Sequence, residues 1–178
     1  MKTKEMVLVA IFAALTAIGA FIRIPIPYVP ITLQVFFVFM AGLILGKKLA
    51  PLSQLLYVFI GLIGIPIFTE GGGPGYILKP SFGYLLGFIA GAYVIGMLTE
   101  NGELNFKRSI IAGLTGIIVI YIIGLPYLYI ILNYVVGASI TINKTLQIGL
   151  FTSLPGDIIK LLIVSLIAPK IYRSLQNY

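Results

Sequence analysis

The chain has 178 residues, 60% of them hydrophobic and only 10% charged, with a net charge of +7 and a mean hydropathy of +1.11. A soluble domain carries roughly a quarter charged residues, so a water-facing globular fold is excluded and the chain reads as an all-α integral membrane protein. Cysteine and histidine are absent, which removes disulfides, thiol catalysis, haem ligation by histidine and ordinary zinc sites.

A spanning helix needs about 20 apolar residues, so the length accommodates six transmembrane helices in a single domain covering 1–178. The basic start, Met1 to Glu5, leads into the first span without a small-residue cleavage site and is read as part of the mature protein. Helix 1 is expected from Lys4 to Arg23. Its alanines at spacing four, Ala10 with Ala14 and Ala13 with Ala17, allow close helix approach in lipid, either to the chain's own neighbours or to a partner subunit. Ile24 to Gln34 holds Pro25, Pro27 and Pro30 and is expected to run extended. Irregular backbone at membrane depth survives only where protein buries it or it lines a cavity. Thr32 and Gln34, two apart, share a face of such a segment.

Helix 2 is short, Val35 to Gly46. Lys47 and Lys48 mark a loop, Pro51 suits the first turn of helix 3, and that helix ends near Ile65-Pro66. Thr69 to Tyr84, TEGGGPGYILKPSFGY, is the one place where the apolar sequence opens into glycine, proline and paired polar residues. Its composition reads as a cover. Helix 4 follows from Phe82 to Leu98, then a polar turn, Thr99 to Asn105. Helix 5 runs from Lys107 to Ile131 with a bend expected near Gly124-Pro126. Asn133 to Gln147 is a polar connection with a short surface helix, and helix 6 runs from Pro155 to Tyr172.

Six spans put both termini on one side. Eight of the twelve Lys and Arg then fall on that side, leaving Arg23, Lys79, Lys144 and Lys160 opposite. The excess marks the cytoplasm, so the Pro-rich and Gly-rich loops and the start of helix 6 converge on the outer face. The basic residues form no stripe, and no nucleic acid is expected as a partner.

Asp157 and Lys160 are the most informative pair at that face. Spaced i, i+3, they share a helix side, and charges within a span usually face a cavity and do something. They read either as a self-neutralising ion pair or as a ligand site, and one does not exclude the other. Tyr84 and Gln34 can serve a ligand or bond between helices. Tyr76, Phe82 and Phe68 belong to an aromatic belt or to pocket walls, Glu70 and Lys79 can be solvated loop charges, and Tyr57 reads as packing. No hydrolase triad, metal set or GxxxxGK[ST] phosphate loop is present, so the chain reads as a binder of a small molecule in a largely apolar pocket, not as an enzyme. A structural subunit without a ligand is the alternative from another class.

Three stretches, Pro27 to Phe68, Gly71 to Gly91 (GGGPGYILKPSFGYLLGFIAG) and Leu154 to Lys160 (LPGDIIK), together resemble the biotin-specific BioY family, the substrate-binding S-components of energy-coupling factor (ECF) transporters. The resemblance implies a six-helix S-component fold in the bacterial plasma membrane and high-affinity capture of biotin at the outer face. It implies no cofactor and no metal. The partners it implies are a transmembrane coupling subunit of the EcfT type and two cytoplasmic ATPases, with Ala10, Ala13, Ala14 and Ala17 as the docking face. At the site it implies Asp157 accepting from the ureido N–H groups of biotin and Lys160 donating to the ureido carbonyl. Gln34, Thr32 and Tyr84 would complete the polar shell, Gly73, Tyr76, Phe82 and Gly83 would be further substrate-binding residues, and Lys79 or loop backbone N–H groups would meet the carboxylate. The usual glycine-proline-threonine of the second loop reads Lys79-Pro80-Ser81 here, and another vitamin is the nearest rival ligand.

Overall fold

The computed structural model describes residues 2–100 and 102–176; Met1 and Asn101, which belong to the expected basic start and polar turn, lie outside them. Among the described residues, five helical stretches are long and apolar enough to cross a membrane, Thr3–Phe21, Gln34–Leu62, Phe82–Thr99, Phe106–Val135 and Ile142–Leu175. Six were expected. The difference lies in the second.

That second helix, α2 (Gln34–Leu62), follows α1 (Thr3–Phe21) and a short antiparallel ribbon of β1 (Arg23–Ile24) and β2 (Ile31–Thr32). Within α2, Gly46 has φ 74° and ψ −179°, a region essentially reserved for glycine. Gln34 Nε2 donates to Tyr57 Oη at 2.8 Å although 23 residues separate them in sequence; a straight helix would hold them roughly 34 Å apart. The element therefore folds back at Gly46 into two antiparallel arms, 34–45 and 47–62. They correspond to the two helices expected on either side of Lys47-Lys48, and Pro51 sits in the early turns of the second arm.

The ribbon replaces the plain extended path expected for Ile24 to Gln34. Helix α1 ends two residues before Arg23 because Leu33 N–H turns back to the carbonyls of Gly19 and Ile22, at 3.1 and 3.0 Å, satisfying groups a helix end leaves open. Arg23 then pairs with Thr32, and Ile24 with Ile31. The second arm of α2 likewise stops short of the expected Ile65. Gly61 O accepts from Gly73 N–H at 2.7 Å, which ties the glycine-rich loop back onto the arm.

Beyond a 3-10 turn at Pro74–Leu78 come α3 (Phe82–Thr99) and α4 (Phe106–Ile130). Helix α4 runs through Pro126, and the regular pattern gives way only afterwards, in a π-helical turn at Ile131–Val135. A short α5 (Ile142–Leu146), capped by Thr141, leads through a second π-helical turn into α6 (Leu154–Gln176). Helices α1 to α4 pack each against the next, and α6 lies against α2 and α4. The α3–α4 seam is close because Gly87 faces the backbone of Ile120, where a Cβ would stand 2.9 Å from the carbonyl oxygen; small residues permit such approach. Large apolar side chains such as Phe59, Ile118, Ile122 and Leu166 point outward, as a lipid-facing surface requires.

Candidate functional site

At the end of the bundle bearing the ribbon and the glycine-rich loop, side chains from the ribbon, the loop, α2, α3, α4 and α6 line a cavity of about 50 Å³. That is room for a few water molecules and far less than the several hundred Å³ of a ligand pocket. The cover is built from Val29, Pro30 and Ile31 of the ribbon and Thr69, Tyr76 and Ser81 of the loop. Leu85 and Phe88 of α3 and Ile120 of α4 make apolar walls.

The polar lining is held by long-range bonds. Asp157, 5% exposed, accepts from Lys160 Nζ at 2.8 Å and from Tyr121 Oη at 2.7 Å. It stands in the first turn of α6, where the helix dipole favours an anion, and the three-residue step brings Lys160 beside it. A buried carboxylate held by two donors avoids the desolvation cost an unpaired one would suffer. Across the cavity, Thr32 Oγ1 donates to Gln34 Oε1 at 3.0 Å, and Tyr57, after accepting from Gln34, donates to the Ile67 carbonyl at 3.2 Å. Tyr84 Oη donates to the Gly149 carbonyl at 3.0 Å. In the cover, Tyr76 Oη shares hydrogen bonds with Thr69 Oγ1 at 2.7 Å and Ser81 Oγ at 3.3 Å. Phe68, fully buried, packs between Tyr57 and Tyr76, and Arg23 Nη1 donates to the Thr69 carbonyl.

Asp157, Lys160, Gln34, Thr32, Tyr84 and Tyr76 thus come together around one cavity. Four other candidates do not line it. Phe82 is buried beside Tyr127, with ring centroids 5.9 Å apart, and Gly83 lies against the same tyrosine because a larger residue would collide with its ring. Gly73 shapes the loop with φ 99°. Lys79 pairs with Glu70 at 3.2 Å and borders a separate shallow recess with Tyr28 and Pro80. On α1 the alanines divide: Ala13, 4% exposed, belongs to the core, Ala17 is half-buried, and Ala10 and Ala14 are exposed. Ala13 therefore cannot be part of a free docking face.

The structure also adds residues. Tyr57, read as packing, is a hydrogen-bonding hinge between Gln34 and the loop. Tyr121 reaches Asp157 from α4. Ser153 lines the cavity, 8% exposed, and its Oγ has no hydrogen-bond partner among the described residues. Its place directly before the LPGD motif is the one sequence signal that could have flagged it.

Comparison with known proteins identifies the family and the fold. The sequence model of the BioY family matches residues 1–177. A probable biotin transporter BioY of Lysinibacillus sphaericus is 44% identical over 99% of this chain and 90% of its own length. The biotin transporter BioY of Thermotoga maritima is 40% identical over 93% of this chain and 94% of its own. Among solved structures, the crystal structure of the S-component for biotin from an ECF-type ABC transporter superposes with a TM-score of 0.83 at 27% identity, covering 97% of this chain and 95% of that one.

Proposed function

The chain belongs to the BioY family, whose members are transport components and not enzymes, and on that premise we propose that it is the biotin-binding S-component of an ECF-type vitamin uptake transporter. The whole chain forms one substrate-binding unit in the bacterial plasma membrane. Counting the arms of α2 as separate crossings gives six, with both termini in the cytoplasm and the cavity at the outer face. The observation that carries this reading is the buried Asp157, donated to by Lys160 and Tyr121 inside a capped, largely apolar cavity.

That arrangement fits the chemistry of biotin. Its ureido ring offers two N–H donors and a carbonyl, its thioether ring is apolar, and its valerate ends in a carboxylate. Asp157 accepts the ureido N–H groups and Lys160 donates to the ureido oxygen. Thr32, Gln34 and Tyr84 complete the shell, and the partnerless hydroxyl of Ser153 supplies a further hydrogen bond. The thioether ring lies against Leu85, Phe88 and Ile120. A membrane coupling subunit and two cytoplasmic ATPases supply the energy for release inside.

The test is calorimetric titration of the purified, ligand-stripped chain in detergent with biotin. One-to-one saturable binding is expected, and Asp157→Asn should weaken it about tenfold or more, since a charge-assisted hydrogen bond contributes roughly 1.5–3 kcal/mol. A change below about twofold removes Asp157 from the site, and the absence of heat and of thermal stabilisation in a folded sample rejects biotin.

A further inference from the structure

We propose that Arg23 is the residue that binds the ligand's carboxylate, clamping it at the mouth of the cavity; this rests on the biotin-binding reading above. Two independent observations put the guanidinium there. Arg23 is directly opposite Thr32 in the ribbon, and side chains of opposed residues in an antiparallel pair leave on the same face, about 5 Å apart at Cβ. Thr32 lines the cavity, so Arg23 leaves the ribbon on the cavity side. Its Nη1 then donates to the carbonyl of Thr69, another lining residue in the opposing loop. The side chain therefore crosses the rim from one cover to the other while staying exposed to solvent.

Charge pairing singles it out. Of the four cations at this end of the molecule, Lys160 is paired with Asp157 and Lys79 with Glu70. Lys144, on α5, donates to Gln147 in the turn that follows and lies outside the lining. Among the described residues, Arg23 is the one cation bonded to the cavity wall with no carboxylate within ion-pair distance. A guanidinium carries five N–H donors in a fixed fork; the bond to Thr69 uses one side of it, and a planar carboxylate is what the rest matches. The ligand's geometry agrees. A ureido head bound at Asp157 leaves the acyl chain to run past apolar walls, and its anionic end has to emerge where water and a cation meet it. Lys79, the cation expected from sequence, is neutralised by Glu70 and faces a different recess.

The experiment titrates the purified full-length chain with biotin and with biotinamide, which differ only at the end of the tail, an anionic carboxylate against a neutral amide. Wild type should prefer biotin. In Arg23→Gln the affinity for biotin should fall about tenfold or more while that for biotinamide changes less than about twofold, so the preference collapses; Arg23→Lys should retain part of it. Equal weakening of both ligands would show Arg23 to be only a latch between ribbon and loop, and no weakening of either, or collapse of the preference in Lys79→Gln instead, would also overturn the proposal. Failure of the wild type to bind either compound would reject the biotin reading itself, an outcome distinct from loss of the tail preference alone.

Discussion

Asp157 is held in place by donors from two helices. Lys160 is supplied by the local i, i+3 step, whereas Tyr121 comes from α4, 36 residues away. Tyr121→Phe keeps the ring against Tyr84, with which it makes an edge contact at 5.9 Å, and removes only the hydroxyl. The carboxylate then keeps Lys160 but is free to turn toward it, so biotin affinity should fall about fivefold to tenfold, a loss of roughly 1–1.4 kcal/mol. The fold should persist, seen as an unchanged helical circular dichroism spectrum. Affinity within about twofold of wild type would mean that Tyr121 merely packs. The difference between the two donors also marks what a sequence can show. Lys160 follows from spacing along one helix, but nothing local in α4 signals that Tyr121 faces α6, because that depends on how two helices are rotated about their axes. Ser153 is hidden for the same reason: a serine beside a helix start is ordinary until the cavity is seen around it.

At the scale of elements, the helical runs were legible from apolar length and from Gly, Pro and Lys punctuation, and the fold-back of α2 from Lys47-Lys48 and Pro51. The ribbon was not. Three prolines argue for extended backbone without saying that Arg23 pairs with Thr32, a register set by how Leu33 closes the end of α1. Two glycines test how far backbone contact fixes these elements. At Gly87 a Cβ would meet the Ile120 carbonyl oxygen and Cα at 2.9 and 3.0 Å, and backbone cannot move aside as a side chain can. Overpacking of about 1–3 kcal/mol then outweighs the gain of up to roughly 1 kcal/mol from replacing a helical glycine by alanine. Gly87→Ala should lower the thermal midpoint in detergent, while Gly75→Ala, with no atom within 4 Å of the added carbon, should leave it unchanged. Equal midpoints for both variants would mean that α3 and α4 can slide apart without cost. Gly46→Ala should destabilise more surely, by about 1–3 kcal/mol, because the backbone angles of the fold-back are nearly inaccessible to other residues.

On the S-component reading proposed above, the energy for moving the ligand out of the capped cavity would reach the chain through a surface that a partner subunit can grip. Ala10 and Ala14 are exposed one turn apart on α1, whereas Ala13, on the same helix, is packed into the core. The two kinds of alanine separate docking from folding. Ala14→Leu adds bulk on the outer face, where the isolated chain meets only lipid or detergent, so biotin affinity should stay within about twofold of wild type. A coupling subunit that approaches closely through small residues would be pushed away at a cost of about 1–3 kcal/mol, reducing co-purification with the coupling and ATPase subunits and biotin uptake into vesicles by roughly fivefold to a hundredfold. Ala13→Leu should do the reverse in isolation: the added methyls meet packed core, the thermal midpoint falls, and any loss of uptake follows loss of folded protein. If Ala14→Leu assembles and transports like wild type, the exposed face of α1 is lipid-facing only, and the grip of the energising subunits has to be sought on another helix.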